Sequence, residues 1–256
     1  MNNIDFTDKV VIVTGASSGI GAETAKLLAL YKAKLTLVGR EDARLTKIAQ
    51  ECETRNGIPP LCLLLDLTVD YNCKLTVEKT VQTYGRLDVL INCAGKMKVT
   101  SLFDQSIELF DEMIAINLRV PYLLTQLSLP HLLKSKGNVV NIGSSLSKRH
   151  RPGFLAYKIS KTGLDKFTKQ AAAELASEGV RVNSISPGVT RTNILNNLDV
   201  NGELQTIIYD AIAENLPQRT VIEPKEVAML IALTASGMFP HLTGSNFVVD
   251  GASSMS

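Results

Sequence analysis

"VVIVTGASSGIG", residues 10–21, joins a β-branched apolar run to a turn with glycines at 15, 19 and 21. The run reads as a buried strand and the pattern from about Gly19 as a helix. The glycines between them let the chain turn tightly, so that backbone amides and the positive end of a helix can approach a pyrophosphate. The spacing is G-x-x-x-G-x-G instead of the commoner G-x-G-x-x-G, so its meaning comes from the strand before it and the helix after it. Gly15, Ser17, Ser18, Gly19, Ile20 and Gly21 are therefore candidates for a dinucleotide cradle.

Outward from this loop, short apolar runs recur at 34–38, 61–65, 87–92, 138–142, 180–185 and 246–250. With 10–14 they make seven strand candidates, several apolar throughout, as strands covered on both faces should be. Helix patterns fill the intervals at about 19–31, 41–56, 69–84, 106–134, 154–177 and 224–236, with Pro121 expected to bend the fourth. Strand–helix alternation on this scale predicts an α/β fold: a single doubly wound Rossmann domain over residues 1–256, its seven-stranded parallel sheet carrying helices on both faces. The stretch from 188 to about 220 is rich in Asn and Thr yet carries Ile194, Leu195, Leu198, Leu204, Ile207, Ile208 and Ile212. A connection of that length reads as a lid, its apolar residues facing either a substrate or the domain beneath.

Bulk properties bound the function without naming it. The chain has 256 residues, 27 basic against 25 acidic, and a net charge of +2, so no nucleic-acid footprint is expected. Its four cysteines, Cys52, Cys62, Cys73 and Cys93, form no C-x-x-C pair, and with three histidines they suggest no metal site. They read as reduced thiols. The N-terminal residues lack a signal-peptide pattern and no apolar run reaches membrane-spanning length, so a cytoplasmic protein is expected.

Two further stretches carry chemistry. At the end of the second strand, "LVGR" places Arg40 where an acidic residue would grip a ribose 2′-hydroxyl and a basic one a 2′-phosphate. That favours NADP(H) over NAD(H), with Glu41 and Asp42 expected in the first turn of the next helix. In "AYKISKTGL", residues 156–164, Tyr157 and Lys161 lie one helical turn apart. The preceding strand ends in Gly143, Ser144 and Ser145, where ligands gather in open α/β sheets. A serine and a tyrosine there can reach one carbonyl oxygen, and a neighbouring ammonium is expected to draw the phenol below its ordinary pKa of about 10.

Taken together, "TGASSGIG", "NCAG" (92–95), "AINL" (115–118), "NIGSS" (141–145), "YKISK" (157–161) and "NSISPG" (183–188) resemble the short-chain dehydrogenases/reductases over nearly the whole chain. The departures are Cys93 for a second asparagine in "NCAG" and Ala252 for a frequent glycine in "VVDGA". The resemblance implies hydride transfer between a nicotinamide and a carbonyl or its alcohol. Tyr157 would pass the proton and Ser144, thirteen residues upstream, would hydrogen-bond the oxygen, with Ser145 the alternative. Lys161 would hold the nicotinamide ribose, and Asn117 a water leading protons out. It further implies that Asn92, Ala94 and Gly95 line the adenosine and ribose side, with Asp66 and Leu67 near the adenine. After Pro187 and Gly188, which would also border the cofactor, the amide of Val189 and the hydroxyl of Thr192 would fix the carboxamide.

The resemblance also implies a homotetramer pairing through helices around 106–134 and 154–177. Among similar members are 3-oxoacyl-acyl-carrier-protein reductases, whose bacterial forms carry basic docking residues near the positions of Ser135 and Glu178. Their absence favours a small lipophilic ketone, aldehyde or alcohol as substrate over a carrier-bound one. "KRHR", Lys148–Arg151, could attract an anionic substrate tail or form a solvated loop.

Overall fold

The structure, a computed structural model, describes residues 4–104, 107–150, 152–198, 200 and 202–255. Seven strands form its sheet: β1 (Val10–Thr14), β2 (Lys34–Gly39), β3 (Leu61–Leu64), β4 (Val89–Asn92), β5 (Asn138–Ile142), β6 (Arg181–Pro187) and β7 (Asn246–Val249). Every pairing is parallel and the order is β3-β2-β1-β4-β5-β6-β7. The chain winds outward from β1 to one edge, then returns to lay β4 on its other side. That reversal opens a crevice at the carboxyl ends of β1 and β4.

The inner runs are apolar throughout because both faces are covered, whereas the edge strand β3 leaves Cys62 and Leu64 exposed. Val11, Val13, Leu35, Leu37, Ile91 and Val140 pack with α1 (Gly19–Leu30), α2 (Asp42–Asn56) and α8 (Pro224–Ala235) on one side. Val10, Ile12, Val38, Leu90 and Val139 pack on the other. There they meet α3 (Asp70–Tyr84), α5 (Val120–Ser135) and α6 (Leu155–Leu175). Successive residues of a strand point to opposite faces, so two cores need an unbroken apolar stretch. Asp42 sits in the first turn of α2 and Glu41 at its N-cap, where negative charge complements the helix end.

Two elements differ from the sequence pattern. The expected helix at 106–134 is split: α4 (Glu108–Ile114) passes through a π-helical turn at Ala115–Arg119 into α5. Pro121 has no amide to return to the carbonyl four residues back, and the wider turn just upstream absorbs that loss in place of a simple bend. Residue 106 lies outside the described residues. Within the lid, the chain forms a short 3₁₀ segment at Asn193–Leu198 and a full helix, α7 (Gly202–Glu214). Among the described residues no helix is long and apolar enough to cross a membrane, and no group of His, Cys, Asp or Glu could hold a metal ion.

Candidate active site

A cavity of about 720 Å³ lies across the carboxyl ends of β1, β2, β4, β5 and β6. Its floor is the turn after β1, where Gly15, Ser17, Ser18, Gly19, Ile20 and Gly21 all line the wall. A Cβ at Gly21 would press into the carbonyl oxygen of Gly15, so only glycine lets α1 start this close to the strand end. Ala94, Gly95 and Leu67 border the middle of the cavity, and Pro187, Gly188, Val189 and Thr192 border it where β6 ends.

At one end, Arg40 faces Asp66 at 3.8 Å, both about half exposed. Burial acts to raise the Asp66 carboxyl, but hydrogen bonds from the Thr68 amide and hydroxyl and the Arg40 charge outweigh it and hold it low. Arg44 lines the same end. Sequence reading missed it, although it lies in the first turn of α2, the helix that begins two residues after Arg40.

At the other end stand Ser144, Tyr157 and Lys161, all buried against the cavity. Ser144 follows the end of β5 by two residues in an extended conformation, and its Oγ accepts a hydrogen bond from the Leu146 amide at 3.2 Å. Phe154 turns the chain into α6 with a φ of 57°, a conformation unusual for a side chain of its size. Thr100 then satisfies the first helical amides, its carbonyl accepting from Leu155 at 3.2 Å and its hydroxyl from Ala156 at 2.9 Å. Tyr157 follows at once, so the phenol is placed by a strained residue and a cap that both precede it. Ser145 lies beside Ser144 on the wall.

The electrostatics correct one expectation. Burial pushes the Tyr157 phenol above its ordinary value, with the Ser144 hydrogen bond opposing, and Lys161 does not draw it down. The Lys161 ammonium lies 5.9 Å from the centroid of the Tyr157 ring and donates to the Ile142 carbonyl at 2.7 Å. Burial in turn pulls Lys161 down to about 8. Burial likewise pushes the Cys93 thiol up to about 12, so no thiolate balances the lysine at neutral pH. Two groups expected to charge one another are instead both driven toward their neutral forms.

Two expected residues stand behind the wall. Asn117, held in the π-helical turn, is fully buried. Its Oδ1 accepts from the Lys96 amide at 3.0 Å, and its Nδ2 donates to the Lys96 carbonyl at 2.9 Å and the Ser160 hydroxyl at 3.2 Å. Asn92 donates from Nδ2 to Asn141 Oδ1 at 2.8 Å, cross-linking β4 and β5. Asn117 backs the wall at Gly95, where a Cβ would lie 2.9 Å from Asn117 Oδ1 and 3.4 Å from Lys161 Nζ.

In the lid, Ile194, Leu195, Leu198, Ile208 and Ile212 line the cavity, whereas Leu204 and Ile207 are exposed and do not. Their helix presents only one face to the domain. Of the basic run after Ser145, Arg149 lines the cavity and Lys148 and His150 are exposed. Arg151 lies outside the described residues.

The profile of the short chain dehydrogenase family matches residues 9–202. The chain belongs to that family. It is an oxidoreductase of the short-chain dehydrogenase class, whose members use a nicotinamide cofactor and act on small molecules. Among curated relatives, an uncharacterized oxidoreductase of Staphylococcus epidermidis is 34% identical over 87% of this chain and 96% of its own. Oxidoreductase UcpA of Salmonella typhimurium is 33% identical over 98% and 96%. The 3-oxoacyl-[acyl-carrier-protein] reductase FabG of Thermotoga maritima is 33% identical over 95% and 96%. A short-chain dehydrogenase/reductase of unknown function from Caenorhabditis elegans, solved with cofactor, superposes with a TM-score of 0.93 at 31% identity, over 98% of this chain and 96% of that one.

Proposed function

We propose that this oxidoreductase transfers hydride between NADP(H) and the carbonyl or secondary alcohol of a small lipophilic substrate. The observation that carries the reading is that Ser144, Tyr157 and Lys161 share one cavity with the glycine turn and with Arg40 and Arg44. The residues fit a phosphorylated dinucleotide: the turn is a cradle that a Cβ would fill, at the positive end of α1, and two guanidiniums stand at the far end. Arg40, paired with Asp66 at 3.8 Å in the open site, is loosely enough held to turn to a 2′-phosphate.

When bound, the nicotinamide supplies or accepts the hydride. Tyr157, held neutral by burial, keeps its proton until a carbonyl oxygen beside it gains charge, then donates it; in the reverse direction the phenol must first lose its proton to solvent, and the phenolate then receives the alcohol proton. Ser144, hydrogen-bonded to the phenol, orients that hydroxyl and offers a second donor to the same oxygen. Lys161 and Asn117 back the wall at Gly95 and the β5 end, and the lysine would grip a ribose. The apolar lid residues exclude water and favour a lipophilic body.

The Thermotoga relative raises 3-oxoacyl-acyl-carrier-protein reduction as a second reading. Ser135, whose hydroxyl donates to the Leu87 carbonyl at 2.7 Å, and Glu178 offer no positive charge to an acidic carrier, which favours free substrates. A dinucleotide-binding sensor would have no use for the Ser144–Tyr157 pair. A cytoplasmic homotetramer also belongs to the proposal, supported by the half-exposed Tyr122 ring against Phe167 at 5.2 Å on the faces of α5 and α6.

The test is NADPH oxidation against a panel of ketones and aldehydes. Tyr157→Phe should lose at least about a hundredfold in kcat while NADPH still quenches or shifts fluorescence normally. Turnover that survives in this variant removes the proton role from Tyr157.

A further inference from the structure

Thr192 stands where three parts of the molecule meet. Its side chain presses on the glycine turn: a Cβ at Gly19, whose φ is +54°, would lie 3.0 Å from Thr192 Cβ and Cγ2. Its backbone belongs to the segment leaving β6, which is tied down as far as residue 191. The Ile222 amide donates to the Val189 carbonyl at 2.9 Å, and the Arg191 amide to the Ile222 carbonyl at 2.9 Å. At Thr192 these ladder bonds stop.

The lid helix takes over at that point. The Thr192 amide donates to the Tyr209 hydroxyl at 3.2 Å, and the same hydroxyl donates to the Thr192 carbonyl at 2.9 Å. Tyr209 is 2% exposed, and the Arg191 guanidinium lies over its ring at 5.4 Å while reaching Asp210 at 3.1 Å and Glu223 at 3.5 Å. Both backbone polar groups of one residue are thus answered by one side chain across seventeen residues of sequence. Tyr209's neighbours Ile208 and Ile212 face the cavity, so the helix that holds Thr192 also borders the space a substrate would fill.

We propose that Tyr209 is a positioning residue that couples docking of α7 to the dinucleotide. It holds the Thr192 peptide in register with Gly19, and through it a bound dinucleotide and a closed lid favour each other. The inference rests on the cavity being a nicotinamide site and adds a residue that borders that cavity and acts through Thr192. Because such coupling is reciprocal, whatever α7 docking contributes to dinucleotide affinity, the dinucleotide returns to α7 docking.

The experiment uses NADPH as the probe and Tyr209→Phe, which keeps the ring under Arg191 and removes only the hydroxyl. In the wild type, saturating NADPH should slow amide exchange and proteolysis across 203–214. In the variant the Thr192 amide should exchange at least tenfold faster, the NADPH dissociation constant should rise about tenfold, and saturating NADPH should no longer protect 203–214. A Tyr209→Phe protein with lower thermal stability but unchanged NADPH affinity and full protection shows a merely structural hydroxyl and overturns the coupling. So does a wild-type lid that NADPH leaves unprotected, a result that does not depend on any variant. Wild-type protein that binds neither NADPH nor NADH brings down the nicotinamide reading itself, and the coupling with it.

Discussion

Lys161 is held in the cavity wall at a cost, and removing it should stabilise the cofactor-free protein. Burial takes its ammonium from an ordinary 10.5 to about 8. At neutral pH that difference is worth about 3 kcal/mol against the folded state. Lys161→Met keeps the aliphatic stem and removes the charge, but it also deprives the Ile142 carbonyl of a hydrogen bond, worth about 1 kcal/mol. The net expectation is about 2 kcal/mol of added stability for cofactor-free protein at pH 7, near 4–8 °C in Tm for a chain of this size. The sign follows from proton counting. The folded lysine binds its proton less tightly than the unfolded one, so wild-type stability rises with pH between about 8 and 10.5. The advantage of Lys161→Met is therefore full below pH 8 and fades across that window. Urea melts of cofactor-free wild type and variant at pH 7 and pH 10 measure it, with the variant inactive throughout. A variant less stable at pH 7, or an advantage that does not shrink by pH 10, refutes the argument that burial sets the charge on Lys161.

Two other perturbations probe the rest of the cavity. Arg40→Asp should weaken NADPH at least tenfold while leaving NADH within about twofold, and Arg44→Gln should weaken NADPH by a smaller factor in the same direction; equal NADPH and NADH affinities in the wild type would remove the 2′-phosphate from the proposal. Gly21→Ala, which drives a methyl into the Gly15 carbonyl, should abolish detectable dinucleotide binding in titration and lower stability by about 1–3 kcal/mol, whereas unaltered binding would show that the turn can yield.

What the sequence disclosed and what it hid divide along the range of the interaction. The strands were legible because a strand covered on both faces must be apolar in consecutive positions, a property written in four or five adjacent residues. The glycine turn was legible for the same reason: close approach of Gly21 to Gly15 is a local demand. Arg44 carried a local signal too, in the first turn of the helix that follows Arg40, but a helix-start arginine is common enough to pass unread. Asn92 and Asn117 were placed in the site by their motifs, yet where an amide points at a strand end or in a π-helical turn depends on Asn141, Lys96 and Ser160. Tyr209 had no local signal at all. Its two bonds to Thr192 join segments that nothing in their spacing relates.

The same division explains why the pKa of Tyr157 moved opposite to expectation. Spacing shows that a phenol and an ammonium share a helix face; it does not show how much water either one loses. With the ammonium 5.9 Å from the ring centroid and bonded to Ile142, its attraction for a phenolate is weaker than the desolvation both groups suffer. The consequence favours chemistry of one direction at neutral pH. A phenol that keeps its proton is a ready donor to a carbonyl oxygen gaining charge, and a sluggish acceptor from an alcohol. Reduction should therefore run well at pH 7, and oxidation should gain with every step of pH toward the phenol's raised value.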